Sequence, residues 1–148
     1  METGKSIRVV VVDDSPKDLH ALCYYLKKQE RIEIVATAND GYELMKVAEA
    51  LKPDLIITDL HMPRLSGIEC TLRLRQRMPE TRFIVFTDLN APFTESDCAE
   101  PGADFYLYKE HMPGRVLTAI HRLFPELERR SHTSPNEIGA KEPCPDAC

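Results

Sequence analysis

The stretch IRVVVVDDSP at residues 7–16 decides the fold of this chain. Its first six residues are almost wholly apolar and β-branched, which is typical of a strand buried on both faces of a parallel sheet. Ser15 and Pro16 then have the residue types that favour a helix N-cap and the first helical position. The acidic pair Asp13 and Asp14 stands where the strand passes into the helix. The stretch therefore predicts the first strand and helix of an α/β domain.

The same alternation of strand and helix continues to about residue 124. Apolar runs predict further strands at 32–36, 54–58, 82–86 and 104–108. Apolar residues at helical spacing predict helices after Pro16, after Gly41, at 68–77 and at 114–124. In the helix at 68–77 we expect Ile68 and Leu72, with Thr71 and Arg75, along one side. Five strands that alternate with helices predict a parallel sheet covered on both faces.

A further helix, the fourth in chain order, is the weakest element of this pattern. It would occupy 91–100, where Pro92 and Pro101 bracket a segment with few apolar residues, so we expect it to be short. Beyond residue 124 the apolar periodicity ends, and the remaining segment is rich in proline and polar residues. Such a segment buries little surface. We therefore predict one domain at 1–125 and a disordered tail or linker at 126–148.

The bulk composition excludes several classes of function. The chain has 148 residues, of which 43% are hydrophobic, and a net charge of −5, values typical of one soluble globular domain. An acidic chain lacks the basic surface that contact with nucleic acid or a polybasic membrane anchor needs. The apolar runs are strand-sized and residues 1–6 carry no secretory signal, so we expect a cytoplasmic protein without membrane contact. The five cysteines show neither a disulfide framework nor zinc spacing.

Five polar residues stand at the carboxyl ends of four predicted strands. They are Asp13, Asp14, Asp59, Thr87 and Lys109. If these strands are parallel, the five side chains meet at one edge of the sheet, which is where open α/β sheets bind ligands. Mg²⁺ prefers oxygen ligands and usually takes one or two carboxylates. The constellation therefore predicts a site for a divalent metal and a phosphoryl group.

Each of these residues alone has a simpler explanation. Asp59 could be a turn aspartate or a carboxylate nucleophile that accepts a phosphoryl group. Lys109 could be a solvated charge or a ligand for a phosphoryl oxygen. Thr87 is of a type common in strands, and it is also a candidate hydrogen-bond donor. The regular placement of all of them at strand ends favours the functional interpretation.

At this point the chain resembles the receiver domain of two-component response regulators, over about residues 7–124. The resemblance rests on the segments VVVVDDSP, NDGYE, PDLIITDLHMPRLSG, RFIVFT and PGADFYLYK. It implies a flavodoxin-like (βα)5 fold, a doubly wound parallel sheet with strand order 2-1-3-4-5. It also implies a non-enzymatic module, apart from self-phosphotransfer and autodephosphorylation. The phosphate donor would be a histidine kinase or a phosphotransfer protein, and a downstream protein would be the target.

The same resemblance implies a role for each site residue. Asp59 would be the phospho-acceptor, and Thr87 and Lys109 would contact the phosphoryl group. Mg²⁺ would be bound by Asp13, Asp14, Asp59 and the backbone carbonyl of His61. Thr87 and Tyr106 would form the switch, with Tyr106 turning inward when Thr87 moves toward the phosphoryl group.

Some features depart from the family and leave alternatives open. Asp88 places a negative charge where the family usually has a small residue, and Glu110 replaces a common proline. Together with the fourth helix, which has few apolar residues, these features leave open the alternative of a pseudo-receiver that binds partners without phosphorylation. An aspartate-dependent phosphohydrolase is a further alternative, although His61 stands where its acid/base aspartate would be. A flavin-binding domain is disfavoured by the acidic pair after the first strand. No output domain is evident, so the chain is a stand-alone receiver or part of a longer regulator.

Overall fold

A computed structural model describes residues 5–90, 93 and 102–128 of the chain. Its centre is a parallel sheet with the order β2-β1-β3-β4-β5. The strands are β1 (Ile7–Val12), β2 (Ile32–Ala38), β3 (Leu55–Asp59), β4 (Arg82–Thr87) and β5 (Phe105–Tyr108). This order confirms the predicted flavodoxin-like fold.

Helices connect the strands, and side-chain caps fix where three of them begin. The described helices are α1 (Pro16–Lys27), α2 (Gly41–Leu51), α3 (Gly67–Arg77) and α4 (Gly114–Leu123). Ser15, Asp40 and Ser66 each accept a hydrogen bond from a backbone N–H in the first turn of the helix that follows. Short 3-10 turns follow β5 at Lys109–His111 and α4 at Pro125–Glu128.

Two predictions fall on parts of the chain outside the described residues. Apart from Phe93, the helix expected at 91–100 lies there, and so do residues 129–148 of the expected tail. The described chain continues as a 3-10 turn past the predicted boundary at 125, and Leu127 packs against the hydrophobic core. The division into a domain and a disordered tail stays a prediction.

The core lies on both faces of the sheet, as the apolar strands require. Val9 and Val11 of β1 point into one cluster, which includes Leu26 of α1 and Ile120 of α4. Val10 and Val12 point into the other, which is built with α2 and α3. Because successive side chains of a strand point to opposite faces, a central strand between two helical layers needs an unbroken apolar run.

The buried side of α3 agrees with the prediction in part. Thr71 is buried as expected and the half-buried Ile68 packs against the core, but Leu72 and Arg75 are only half-buried. Cys70 and Leu74, which were not predicted, are buried. The reason is packing against α2, since the Cys70 thiol lies 3.6 Å from the carbonyl oxygen of Gly41. The contact with α2 thus adds Cys70 and Leu74 to the buried side of the helix.

Candidate functional site

Three carboxylates meet at the carboxyl edge of the sheet. Asp13, Asp14 and Asp59 each present an oxygen, and these atoms lie within 4.8 Å of one another. Asp13 is 2% exposed and Asp59 is 6% exposed, whereas Asp14 is exposed. A cluster of hard oxygen ligands at this spacing fits Mg²⁺, which would offset the repulsion among the three charges.

The end of β1 fixes the position of Asp13. The Asp13 backbone N–H donates to the carbonyl oxygen of Ala38 at 3.2 Å, which continues the ladder with β2. Its side-chain Oδ1 accepts a hydrogen bond of 2.9 Å from the N–H of Ser15. Because Ser15 is also the N-cap of α1, the strand end, the carboxylate and the helix start are held as one unit.

The end of β3 fixes the position of Asp59 in the same way. Its side-chain Oδ1 accepts a 3.3 Å hydrogen bond from the backbone N–H of His61, whose side chain is exposed. The backbone of α3 then returns close to β3, since the N–H of Gly67 donates to the carbonyl oxygen of Leu60 at 2.8 Å. A Cβ atom at position 67 would overlap with the carbonyl oxygen of Asp59, so this approach requires glycine.

Lys109 brings a positive charge to the three carboxylates. Its Nζ atom lies 3.2 Å from Asp13 Oδ2 and 3.7 Å from Asp59 Oδ2. A further carboxylate, that of Asp18, lies closer at 2.9 Å and accepts a hydrogen bond from Nζ. Asp18 was missed in the sequence, because an acidic residue in the first turn of a helix already has a reason to be there.

Burial and mutual charge change the acidity of these groups. Burial raises the pKa of Asp59 from 3.8 to about 7. The positive charge of Lys109 acts to lower this pKa, and the negative charge of Asp13 acts to raise it further. Burial also raises the pKa of Asp13. For Lys109 burial acts to lower the pKa, but the hydrogen bond to Asp18 and the charges of Asp59 and Asp13 outweigh it, so the pKa is raised. A cation beside Asp59 would favour its ionised form.

Thr87 lies at the same edge, at the end of β4. The register pairs Asp59 of β3 with Phe86 of β4, so Thr87 is the next residue beyond that pair. Thr87 is 1% exposed, and Asp88 after it is half-buried. The end of β4 thus places Thr87 at the same edge of the sheet as Asp59.

Tyr106 already lies inside the protein in this structure. Its ring is 2% exposed and packs edge-to-face against Phe93 with 5.3 Å between centroids. Its hydroxyl oxygen accepts a 3.1 Å hydrogen bond from the N–H of Ala103. This inward position is the one that the resemblance assigns to the phosphorylated state, and the dependence of the ring position on phosphorylation stays a prediction.

Comparisons with known proteins agree with this fold. The family described as "Response regulator receiver domain" matches residues 9–121, so the chain belongs to the receiver domain family of response regulators. It is 31% identical over 77% of its length to the uncharacterized transcriptional regulatory protein YxjL of Bacillus subtilis, covering 52% of that protein. It is 30% identical over 82% of its length to the nitrate/nitrite response regulator NarL of Escherichia coli, covering 56% of it. The chain thus spans about half the length of these curated relatives.

Solved structures show the same fold as this chain. A chain of the CheX–CheY–BeF3–Mg complex from Borrelia burgdorferi superposes with a TM-score of 0.73 at 26% identity. The match covers 82% of this chain and 91% of that one. Receiver domains are generally signalling modules of two-component systems that interact with kinases and downstream targets, rather than enzymes, and they bind Mg²⁺ at an acidic pocket. Among the helices that the structure describes, none has both the length and the apolar character that crossing a membrane needs.

Proposed function

We propose that this chain is a phospho-acceptor module that receives a phosphoryl group on Asp59 from a histidine kinase or a phosphotransfer protein. The observation that carries the proposal is the convergence of Asp13, Asp14 and Asp59 around Lys109 at one sheet edge. The similarity to a CheX–CheY complex that contains BeF3 and Mg²⁺ supports it. The output is a change in a protein-binding surface that a downstream protein reads.

The transfer needs a carboxylate nucleophile. An oxygen of ionised Asp59 attacks phosphorus, the P–N bond of the donor phosphohistidine breaks, and its electron pair passes to the imidazole, which takes a proton from solvent. Lys109 and the Thr87 hydroxyl donate hydrogen bonds to the phosphoryl oxygens. Asp13, Asp14, Asp59 and the His61 carbonyl would hold Mg²⁺, which would supply positive charge to offset that of the phosphoryl group. The product is an acyl phosphate on Asp59.

Phosphorylation then acts on Thr87 and Tyr106. A phosphoryl group adds charge and strong acceptor oxygens beside Thr87. When Thr87 is drawn toward them, the space behind it favours the inward ring of Tyr106. Because Tyr106 is already inward in the structure, phosphorylation would stabilise this arrangement against an outward one. A nearly complete switch needs about 5 kcal/mol of differential stabilisation.

Intact mass spectrometry tests the acceptor role directly. The wild type and Asp59→Asn are incubated with Mg²⁺ and acetyl phosphate, with EDTA as a control. We expect the wild type to gain one phosphoryl group only with Mg²⁺, and Asp59→Asn to gain none. A phosphorylated histidine kinase is the second donor. Failure of both donors would favour a pseudo-receiver, and continuous hydrolysis of a phosphate monoester would favour a phosphohydrolase.

A further inference from the structure

Among the described residues, Asp18 is the nearest carboxylate to Lys109, and the proposed phosphoryl transfer gives it no function. Nζ lies 2.9 Å from Asp18, compared with 3.2 Å to Asp13 and 3.7 Å to Asp59. The hydrogen bond to Asp18 holds the ammonium toward α1. Asp18 is also outside the group of carboxylates that could hold a metal ion.

The ion pair between Asp18 and Lys109 can break with a small change in free energy. Its side chain is 45% exposed, whereas that of Lys109 is 21% exposed and that of Asp13 is 2% exposed. A carboxylate at this exposure exchanges its ammonium partner for water with a small change in free energy. The pKa of Asp18 is lowered, chiefly by its hydrogen bond to Lys109, so the pair is charged at neutral pH.

The ion pair of Lys109 and Asp18 borders open space. An open cavity of about 250 Å³ lies beside Lys109 and Asp18, between α1 and the chain after β5. Its apolar wall is formed by Ala21, Leu22, Phe86, Met112 and Pro113. Nζ lies 5.4 Å from the centroid of the Phe86 ring. The cavity includes Asp18 and Asp13 in its lining, so open space borders the ion pair of Lys109 and Asp18, where water can replace Lys109 as the partner of Asp18.

The charge balance sets the direction of the effect. Asp13, Asp14, Asp18 and Asp59 together outweigh the charge of Lys109 plus a divalent cation. An incoming phosphoryl group adds more negative charge and needs the same ammonium. Asp18 therefore opposes it twice, by repelling the anion and by retaining its hydrogen-bond donor.

We propose that Asp18 is a positioning residue that competes with the phosphoryl group for Lys109 and thereby disfavours the phosphorylated state. This inference rests on the proposed acceptor function of Asp59. Asp18 touches Lys109 rather than the reacting atoms, so its influence passes through the lysine. Its removal is expected to release Lys109 toward Asp59 and to strengthen binding of a phosphoryl mimic.

The test measures binding of BeF3⁻ with saturating Mg²⁺ by ¹⁹F NMR titration. Asp18→Asn keeps the shape and removes the charge, and we expect its dissociation constant to fall about three- to fivefold relative to the wild type. Asp18→Glu keeps the charge within reach of Lys109 and should stay within about twofold of the wild type. Glu33→Gln, at an exposed position of β2, removes the same charge elsewhere and is the matched control.

A second readout follows Lys109 itself. The ¹⁵N and ¹H shifts of its ammonium group should change in Asp18→Asn without ligand and stay unchanged in Glu33→Gln. Thermal unfolding checks that each variant is folded, and Asp18→Ala replaces the asparagine variant if that one is not. Equal or weaker BeF3⁻ binding by Asp18→Asn, with normal binding by the wild type, would overturn the competition while leaving the acceptor function intact. Absence of both BeF3⁻ binding and phosphorylation in the wild type would instead overturn the acceptor function and the inference with it.

Discussion

Replacement of Asp59 by asparagine is expected to stabilise the metal-free protein at alkaline pH. The carboxyl group has a pKa of about 7 when folded and 3.8 as the ordinary value, because the fold buries it beside Asp13. A group whose pKa is raised on folding contributes stability below pH 3.8 and loses it as pH rises through about 7. The shift therefore disfavours folding by about 4 kcal/mol at pH 8, where folded Asp59 is ionised, and by about 2 kcal/mol at pH 5, where folding requires Asp59 to take up a proton. The neutral amide of the variant would carry no such cost.

Urea unfolding followed by far-UV circular dichroism, in EDTA, measures the difference. The free energy of unfolding of Asp59→Asn should exceed that of the wild type by about 4 kcal/mol at pH 8, with a smaller gain at pH 5. Saturating Mg²⁺ should reduce the gain, because the cation binds the native wild-type carboxylates. Glu33→Gln, which removes an exposed charge, serves as the control. A gain that is equal at both pH values, or no gain at all, would refute the electrostatic explanation.

The remaining predictions concern the ammonium, the metal ligands and the loop after β3. Lys109→Met should lower the free energy of unfolding at pH 8 by about 2 kcal/mol, because it leaves the buried carboxylates without a counter-charge; urea titration measures this. Asp14→Asn should weaken Mg²⁺ binding in calorimetry about tenfold while changing metal-free stability little, since Asp14 is exposed. Gly67→Ala should lower the free energy of unfolding by about 2 kcal/mol, because a Cβ overlaps with the backbone of Asp59. Gly114→Ala is its control and should be neutral or stabilising, since a Cβ there meets nothing within 4 Å. A loss in Gly114→Ala equal to that in Gly67→Ala would remove the steric argument.

The sheet could be predicted because a strand that is buried on both faces needs a continuous run of apolar residues, which is easily recognised in a sequence. A run such as Ile7–Val12 has few other uses in an acidic chain of this length. The meeting of Asp13, Asp59 and Lys109 followed from the same reasoning, since parallel strands bring their carboxyl ends to one edge. The order of the strands came from resemblance and not from the apolar pattern.

The errors come from choices that only packing makes. In α3 the apolar spacing identified Thr71 and Ile68 but missed Cys70 and Leu74, whose burial comes from packing with α2. The ring contact of Tyr106 with Phe93 and the hydrogen bond that its hydroxyl accepts from the N–H of Ala103 are likewise contacts that no local sequence pattern encodes. Asp18 was overlooked because its position at the start of a helix is common.

The loop between β3 and α3 is held in place by two glycines that no other residue could replace without displacing it. A Cβ at Gly41 would overlap with the backbone oxygen of Leu65, and one at Gly67 with that of Asp59. Within this loop, His61 and Arg64 remain exposed. The exposed side chains of this loop can therefore change while the backbone beside Asp59 stays where it is. The surface chemistry of the loop and the geometry of the acidic cluster are thus structurally independent of each other.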